Sequence, residues 1–128
     1  MERHTIQRTV ILEAIEEMEH STIPDILNRC KEDFPSISVG TIYRNLLILE
    51  EEGLIRRIPT KYKEDVYESC SKNPHDHFIC KECHSIIDLK LDKKFQPFTN
   101  EYGDLVDEEC IVYYGICKEC LEKENKGD

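Results

Sequence analysis

Two tetrapeptides, Cys80-Lys-Glu-Cys83 and Cys117-Lys-Glu-Cys120, constrain this chain more than anything else in it. Two residues between thiolates let one tight turn present both sulfurs to a single metal. Two such turns complete a tetrahedron at a Zn–S distance of about 2.3 Å. Four thiolates leave no open coordination position, so the expectation is a structural zinc ion rather than a catalytic one. Disulfides or four unrelated thiols are the competing readings. The cysteine count is seven, an odd number, and Met-Glu-Arg-His leads into an amphipathic stretch with no signal-like apolar core. Both features favour a reducing compartment and a metal, with the cytoplasm as the expected location. No apolar run approaches the roughly 20 residues of a membrane span, so no membrane partner is expected.

Upstream of the cysteines the patterning is helical. Ile6, Val10, Ile11, Ala14, Ile15 and Met18 recur at helical spacing over about Thr5 to His20, with Thr5 as a cap. A second, short helix follows Ser21-Thr22 and stops at Phe34-Pro35, with Pro24 in its first turn. A third follows Ser38. Val39, Ile42, Leu46 and Leu49 form its buried stripe, Tyr43, Arg44 and Leu47 lie off it, and Gly53 ends it. Two strands, Leu54–Ile58 and Asp65–Glu68, flank a polar connection that carries Lys61 and Lys63. Three helices and a hairpin are the layout of a winged helix-turn-helix, whose third helix enters the major groove and whose hairpin touches phosphates. Net charge is −10, shared evenly between residues 1–68 and 69–128, so DNA contact has to come from a local patch.

The expected division is a DNA-binding domain over 1–69, a hinge over 70–74 and a second domain over 75–128. In the second domain His77–Leu89 is strand-like around a Cys-x-x-Cys turn. Leu91–Tyr102 is expected to be helical despite Pro97, Leu105–Tyr114 to be a strand, and the charged tail Glu122–Asp128 to fray. The fold class is α+β, and the zinc is expected to tie two outer strands of the second domain.

His75-Asp76-His77 offers a second metal site. On a strand the two imidazoles share a face and Asp76 takes the other. Asp88 lies past the cysteine turn, Glu68 ends the hairpin and His20 ends the first helix. If these five converge, nitrogen and carboxylate donors suit Fe(II), Mn(II), Co(II) or Zn(II) more than a hard-oxygen metal. Spacing supports His75 and His77 as a pair and says nothing for His20 alone.

Five motifs follow in order: Thr5-x-Gln7-Arg8, Ser38-x-x-Thr41-Ile42-Tyr43-Arg44-Asn45-Leu46, Gly53-Leu54-Ile55, His75-Asp76-His77-x-x-Cys80-x-x-Cys83 and Tyr114-Gly115-x-Cys117-x-x-Cys120. In these the chain resembles the ferric uptake regulator family of bacterial metal-dependent repressors over nearly its whole length. The resemblance implies an N-terminal winged helix, a small α/β dimerisation domain stapled by a four-cysteine zinc site, and a homodimer that binds double-stranded operator DNA when a regulatory metal is present. It implies structural zinc on Cys80, Cys83, Cys117 and Cys120. It places the regulatory metal on His20, Glu68, His75, His77 and Asp88, and the DNA contacts on Arg3, Thr5, Arg8, Tyr43, Arg44, Lys61 and Lys63. Arg44 would pair bidentately with guanine and the wing lysines with phosphates.

The chain departs from the family pattern in places. It starts almost at the Thr-x-Gln-Arg motif, without most of the usual first helix, which is expected to alter DNA contact. Gly40 stands where alanine is usual, and Glu109 where a further site beginning at Asp76 would need histidine. Glu68 resembles the iron-sensing branch, and Arg44-Asn45 the iron and zinc branches more than the peroxide branch, so Fe(II) or Mn(II) is the expected regulatory ion. Peroxide sensors resemble this arrangement with aspartate at the Glu68 position. Cys70, spaced before His75 and His77 as in zinc sensors, is a possible alternative ligand, although one such pattern has aspartate where this chain has Arg56. A metalloenzyme is disfavoured because the donor set would be saturated. A zinc-ribbon-like interaction module is the remaining alternative outside the family.

Overall fold

A computed structural model describes residues 3–62, 64–71, 75–90 and 95–126, with side chains omitted at 3–5 and 125–126. It divides into two compact units, Met1–Asn73 and Pro74–Asp128.

The first unit opens on α1 (Arg3–Glu17), followed by β1 (Ser21–Thr22), α2 (Ile23–Cys30), α3 (Val39–Glu51), β2 (Ile55–Ile58) and β3 (Val66–Ser69). Local chemistry fixes the helix ends. Thr22 and Asp25 form a reciprocal capping box at the start of α2, with Pro24 in the first turn. The Ser38 hydroxyl accepts from the Thr41 N–H to start α3. Gly53, at φ 75°, turns the chain out of α3 in a conformation that costs other residues a steric penalty. The helices bury Ile11, Ile15, Ile26, Ile42, Leu46 and Leu49 in one core. Val39 does not join them: it is 45% exposed and lines a groove of about 380 Å³ with Ile23, Leu27 and Tyr43. The sheet order is β1-β3-β2, antiparallel throughout. β3 is its middle strand, and all four of its residues are buried. Three helices and this hairpin make a winged helix-turn-helix.

The second unit holds β4 (His75–Cys80), β5 (Ile86–Lys90), β6 (Phe98–Thr99), β7 (Leu105–Val106), β8 (Val112–Gly115) and α4 (Lys118–Lys126). Its main sheet has the order β5-β4-β8, with β5 antiparallel and β8 parallel to β4. The helix expected over Leu91–Tyr102 is not there in the described part. Residues 98–99 instead pair with 105–106. Pro97 removes a donor, and the Asn100 carboxamide accepts from the N–H groups of Tyr102 and Asp104, which makes a tight turn at the strand joint. Leu105–Tyr114 is likewise two short strands, and the charged tail is helical through Lys126. Among the described residues no helix is long and apolar enough to cross a membrane.

Candidate metal centres and nucleic-acid interface

The parallel pairing of β4 with β8 sets Cys80 level with Gly115, two residues before Cys117. That register, rather than proximity in sequence, brings the two Cys-x-x-Cys turns together. The four Sγ atoms lie within 4.8 Å of one another. Cys80 and Cys120 are 3.7 Å apart and Cys83 and Cys117 are 3.8 Å apart. A tetrahedron with Zn–S near 2.3 Å has S···S edges of about 3.8 Å, while a disulfide needs about 2 Å. None of the seven cysteines is in a disulfide.

Backbone N–H groups of Glu82, Cys83 and Cys117 all point at Cys80 Sγ, at 3.4–3.5 Å. Donation from Cys83 and then Cys117 favours the thiolate and lowers the Cys80 thiol to about 6, against the upward push of burial. The Ser85 hydroxyl lowers Cys83 in the same direction. Cys120 moves the opposite way, because the Cys117 hydrogen bond first, then burial and the other two thiols, favour its protonated form. A cation would resolve that crowding by taking all four as thiolates. Gly115 has a steric reason: a Cβ there would meet the Phe78 ring at 2.9 Å. The expected tie between two outer strands needs correcting. Cys80 ends the central strand β4, so the tie runs from the middle of the sheet to the edge strand β8, which leads to Cys117. Cys30 stands apart in the first unit's core, where burial pushes its thiol up to about 11.

Each unit gathers part of the second donor set. In the first, β1 pairs with β3, which brings His20, just before β1, to Glu68 on β3, with Nε2 to Oε1 at 3.8 Å. Glu68 is fully buried, and its other oxygen lies 3.3 Å from Arg56 Nε across the β2–β3 ladder. In the second unit His77 faces Asp88 across β4–β5. His75 Nε2 is 3.3 Å from Asp88 Oδ1, and the His75 and His77 rings meet edge to face at 4.7 Å. Two imidazoles and a carboxylate thus share one sheet face, with Asp76 on the other. Cys70 follows β3, half-buried, and its N–H donates to Leu54 O.

On α3, Tyr43 is 47% and Leu47 59% exposed, and Arg44 is exposed beside them. Arg44 Nη2 donates to Thr41 Oγ1, while Nη1 rests 3.3 Å from where a Gly40 Cβ would sit. The glycine therefore leaves room for a folded-back guanidinium. Lys61 is exposed in the wing. Lys63 falls outside the described residues, as do the side chains of Arg3 and Thr5. Arg8 has a role that sequence reasoning missed. It is half-buried, and its Nε donates to Asn45 Oδ1 at 3.1 Å, while Asn45 Nδ2 donates to Thr41 O. This clamp fixes α3 to α1 through a side chain only 5% exposed. Asn45→Ala is expected to lower unfolding free energy by about 1–3 kcal/mol, because a buried side chain and its two half-buried partners, Arg8 and Thr41, lose their bonds. A urea titration measures it, and an unchanged midpoint would remove the clamp from the account.

The sequence profile of the ferric uptake regulator family matches residues 2–104. The peroxide operon regulator of Bacillus subtilis is 34% identical over 127 residues, which cover 96% of this chain and 87% of that protein. A peroxide-responsive repressor of Staphylococcus saprophyticus is 33% identical, covering 94% and 84%. A solved structure, the peroxide stress regulator of Campylobacter jejuni, superposes with a TM-score of 0.74 at 29% identity, covering 92% of this chain and 91% of that one.

Proposed function

Since the chain belongs to the ferric uptake regulator family, and so is a metal-sensing transcriptional regulator rather than an enzyme, we propose that it works as a homodimeric, metal-gated repressor of operator DNA. Zinc sits on Cys80, Cys83, Cys117 and Cys120. A regulatory Fe(II) or Mn(II) takes His20 and Glu68 from the first unit and His75, His77 and Asp88 from the second. The observation that carries this reading is the β4–β5 register, which puts His75, His77 and Asp88 on one face. That donor set fits a borderline divalent cation. When bound, the cation supplies positive charge and a link between the two donor groups.

The residues divide the work. The β3 ladder presents Glu68 as a buried carboxylate, a group that needs a positive partner to stay charged. His75 and Asp88 orient one another, so the face arrives with its donors aligned. Arg8 and Asn45 hold α3 so that Tyr43, Arg44 and Leu47 stay outward. Tyr43 and Leu47 offer apolar contact to thymine methyls, Arg44 a bidentate donor to guanine, and Lys61 a charge for phosphate. On the sheet of the second unit, Ile87 and Tyr113 flank Phe78 in register and are 43% and 50% exposed. An apolar face of that kind supports pairing with a second copy.

Arg44→Ala is expected to weaken specific operator binding by about 1–3 kcal/mol while binding to scrambled DNA changes little. Fluorescence anisotropy on inverted-repeat and scrambled duplexes checks it. Equal losses on both would make Arg44 a phosphate contact.

A second reading has an observation in its favour. The Bacillus and Staphylococcus relatives are named as peroxide regulators, at identities above 30%. On that reading the same site answers peroxide through an iron-catalysed change at His20 or His77. Mass spectrometry of the Fe(II)-loaded protein after peroxide separates the two. An added oxygen on either imidazole supports the peroxide reading, and unmodified histidines support metal sensing alone.

A further inference from the structure

We infer that Arg56 is a resident competitor for the regulatory cation: it holds the Glu68 carboxylate in the metal-free protein and so sets how much metal is needed to take it. The inference rests on the proposal that Glu68 is a ligand. It goes further by giving a role to a residue outside the donor set.

The argument starts from burial. Glu68 is 0% exposed in the middle strand of the first unit's sheet, so its charge cannot be solvated by water. Two groups from the same unit approach it. Arg56 Nε lies 3.3 Å from Oε2, and His20 Nε2 lies 3.8 Å from Oε1. Arg56 reaches it by register: the two residues are cross-strand partners on β2 and β3, and the buried Nε meets the carboxylate as an ion pair without hydrogen-bond geometry, the side chain being 29% exposed as a whole. A guanidinium keeps its charge throughout the physiological range, so this partner is present whether or not metal is. His20 is a donor to metal only when neutral, whereas Arg56 can never be a donor. Arg56 therefore stabilises the form of the protein in which Glu68 faces a protein cation. A second cation beside that carboxylate meets charge repulsion and has to share or displace the guanidinium.

A purely structural role makes the opposite forecast. If Arg56 merely fixed the Glu68 rotamer, its removal would disorder a ligand and weaken metal binding. If it competes, removal leaves a buried carboxylate with more need of a cation, and binding tightens. The sign separates the two.

The test is calorimetric titration of zinc-loaded full-length protein with Mn(II), for the unaltered chain, Arg56→Gln and Glu68→Gln. Arg56→Gln is expected to lower Kd by about tenfold, and to melt lower than the unaltered protein without Mn(II) but gain more on adding it. An unchanged or higher Kd overturns the inference. Glu68→Gln is expected to raise Kd strongly. If it does not, the assignment of Glu68 as a ligand fails, and that failure is distinct from an unmoved Arg56→Gln. Should Arg56→Gln not fold, the unaltered protein still decides. The Arg56 Nε–H resonance in 15N spectra is expected to shift when a diamagnetic divalent cation, Zn(II), fills the site. A resonance that stays in place through saturation overturns the inference.

Discussion

Cys117→Ala is expected to unfold the second unit, with loss of its strand signal and its cooperative melting step. The reason lies in what that unit has for a core. Its buried cluster consists of Cys80, Cys117 and Cys120, with Phe78 and Ile116 packed against it. Among the described residues of this unit, Ile79 is the other buried apolar side chain, so the cysteines make up most of the core and the metal they fit stands in for a larger apolar one. In small zinc domains the binding free energy is the folding free energy, and apparent values run to about 10–16 kcal/mol. A three-thiolate site that no longer holds the ion forfeits that binding free energy, which is as large as the whole stability of a domain, roughly 5–15 kcal/mol. A strong chelator is expected to act like the substitution, and so is acidification, since protons compete for all four sulfurs. The first unit has its own core of helix and strand residues and is expected to keep its helical signal. Circular dichroism melts and amide exchange, with zinc measured by mass spectrometry, provide the check. Unchanged exchange protection over β4 and β8 in a zinc-free protein would contradict it.

His77→Ala is expected to raise the Kd for the regulatory metal by at least about 100-fold, since losing an outer hydrogen-bond partner of a metal ligand already costs 10–100-fold. His77 is 1% exposed in the central strand, opposite Asp88 and against the His75 ring. Alanine removes a donor and leaves a cavity on the same face. The substitution lies three residues before Cys80 in β4, on the other face of the strand, so zinc content is expected to stay at one per chain. Zinc retained and Mn(II) affinity lost is the expected pair of results. If both ions are lost together, His77 supports the strand rather than the metal.

The parts of this molecule written in local chemistry were legible in the sequence. Ser38, Gly53 and the position of Pro24 each act within one helical turn, so the ends of α2 and α3 could be anticipated from them. The Cys-x-x-Cys pairs were legible because each turn forms its half of the site alone. The capping box of Thr22 and Asp25 was also readable, from a hydroxyl and a carboxylate three residues apart, and was missed.

What the sequence did not carry depends on register between distant strands. Two-residue β1 has no periodicity to detect, yet its pairing with β3 brings His20 to Glu68. The Arg56–Glu68 and Arg8–Asn45 contacts join residues whose spacing carries no signal. Parallel pairing of β4 and β8, which decides how the zinc turns meet, is likewise invisible in a local window. Leu91–Tyr102 misled for another reason. A helix was expected there despite Pro97, while the Asn100 side chain, accepting from the N–H groups of Tyr102 and Asp104, set the turn. The branch was harder still. Glu68 pointed to iron and Arg44-Asn45 to the iron and zinc branches, whereas relatives above 30% identity are named as peroxide regulators. One carboxylate carries too little chemistry to choose between sensing a metal and sensing what oxidises it.

The central claim is that metal at the His/carboxylate donors gates DNA binding. The direct measurement is anisotropy of zinc-loaded protein on inverted-repeat operator DNA, with and without Mn(II), for the unaltered chain and for His77→Ala. Coupling between two sites is commonly worth about 5–150-fold in affinity. The account predicts a gain in that range for the unaltered protein and none for His77→Ala. Equal affinity with and without metal in the unaltered protein, or the same gain in His77→Ala, would contradict it.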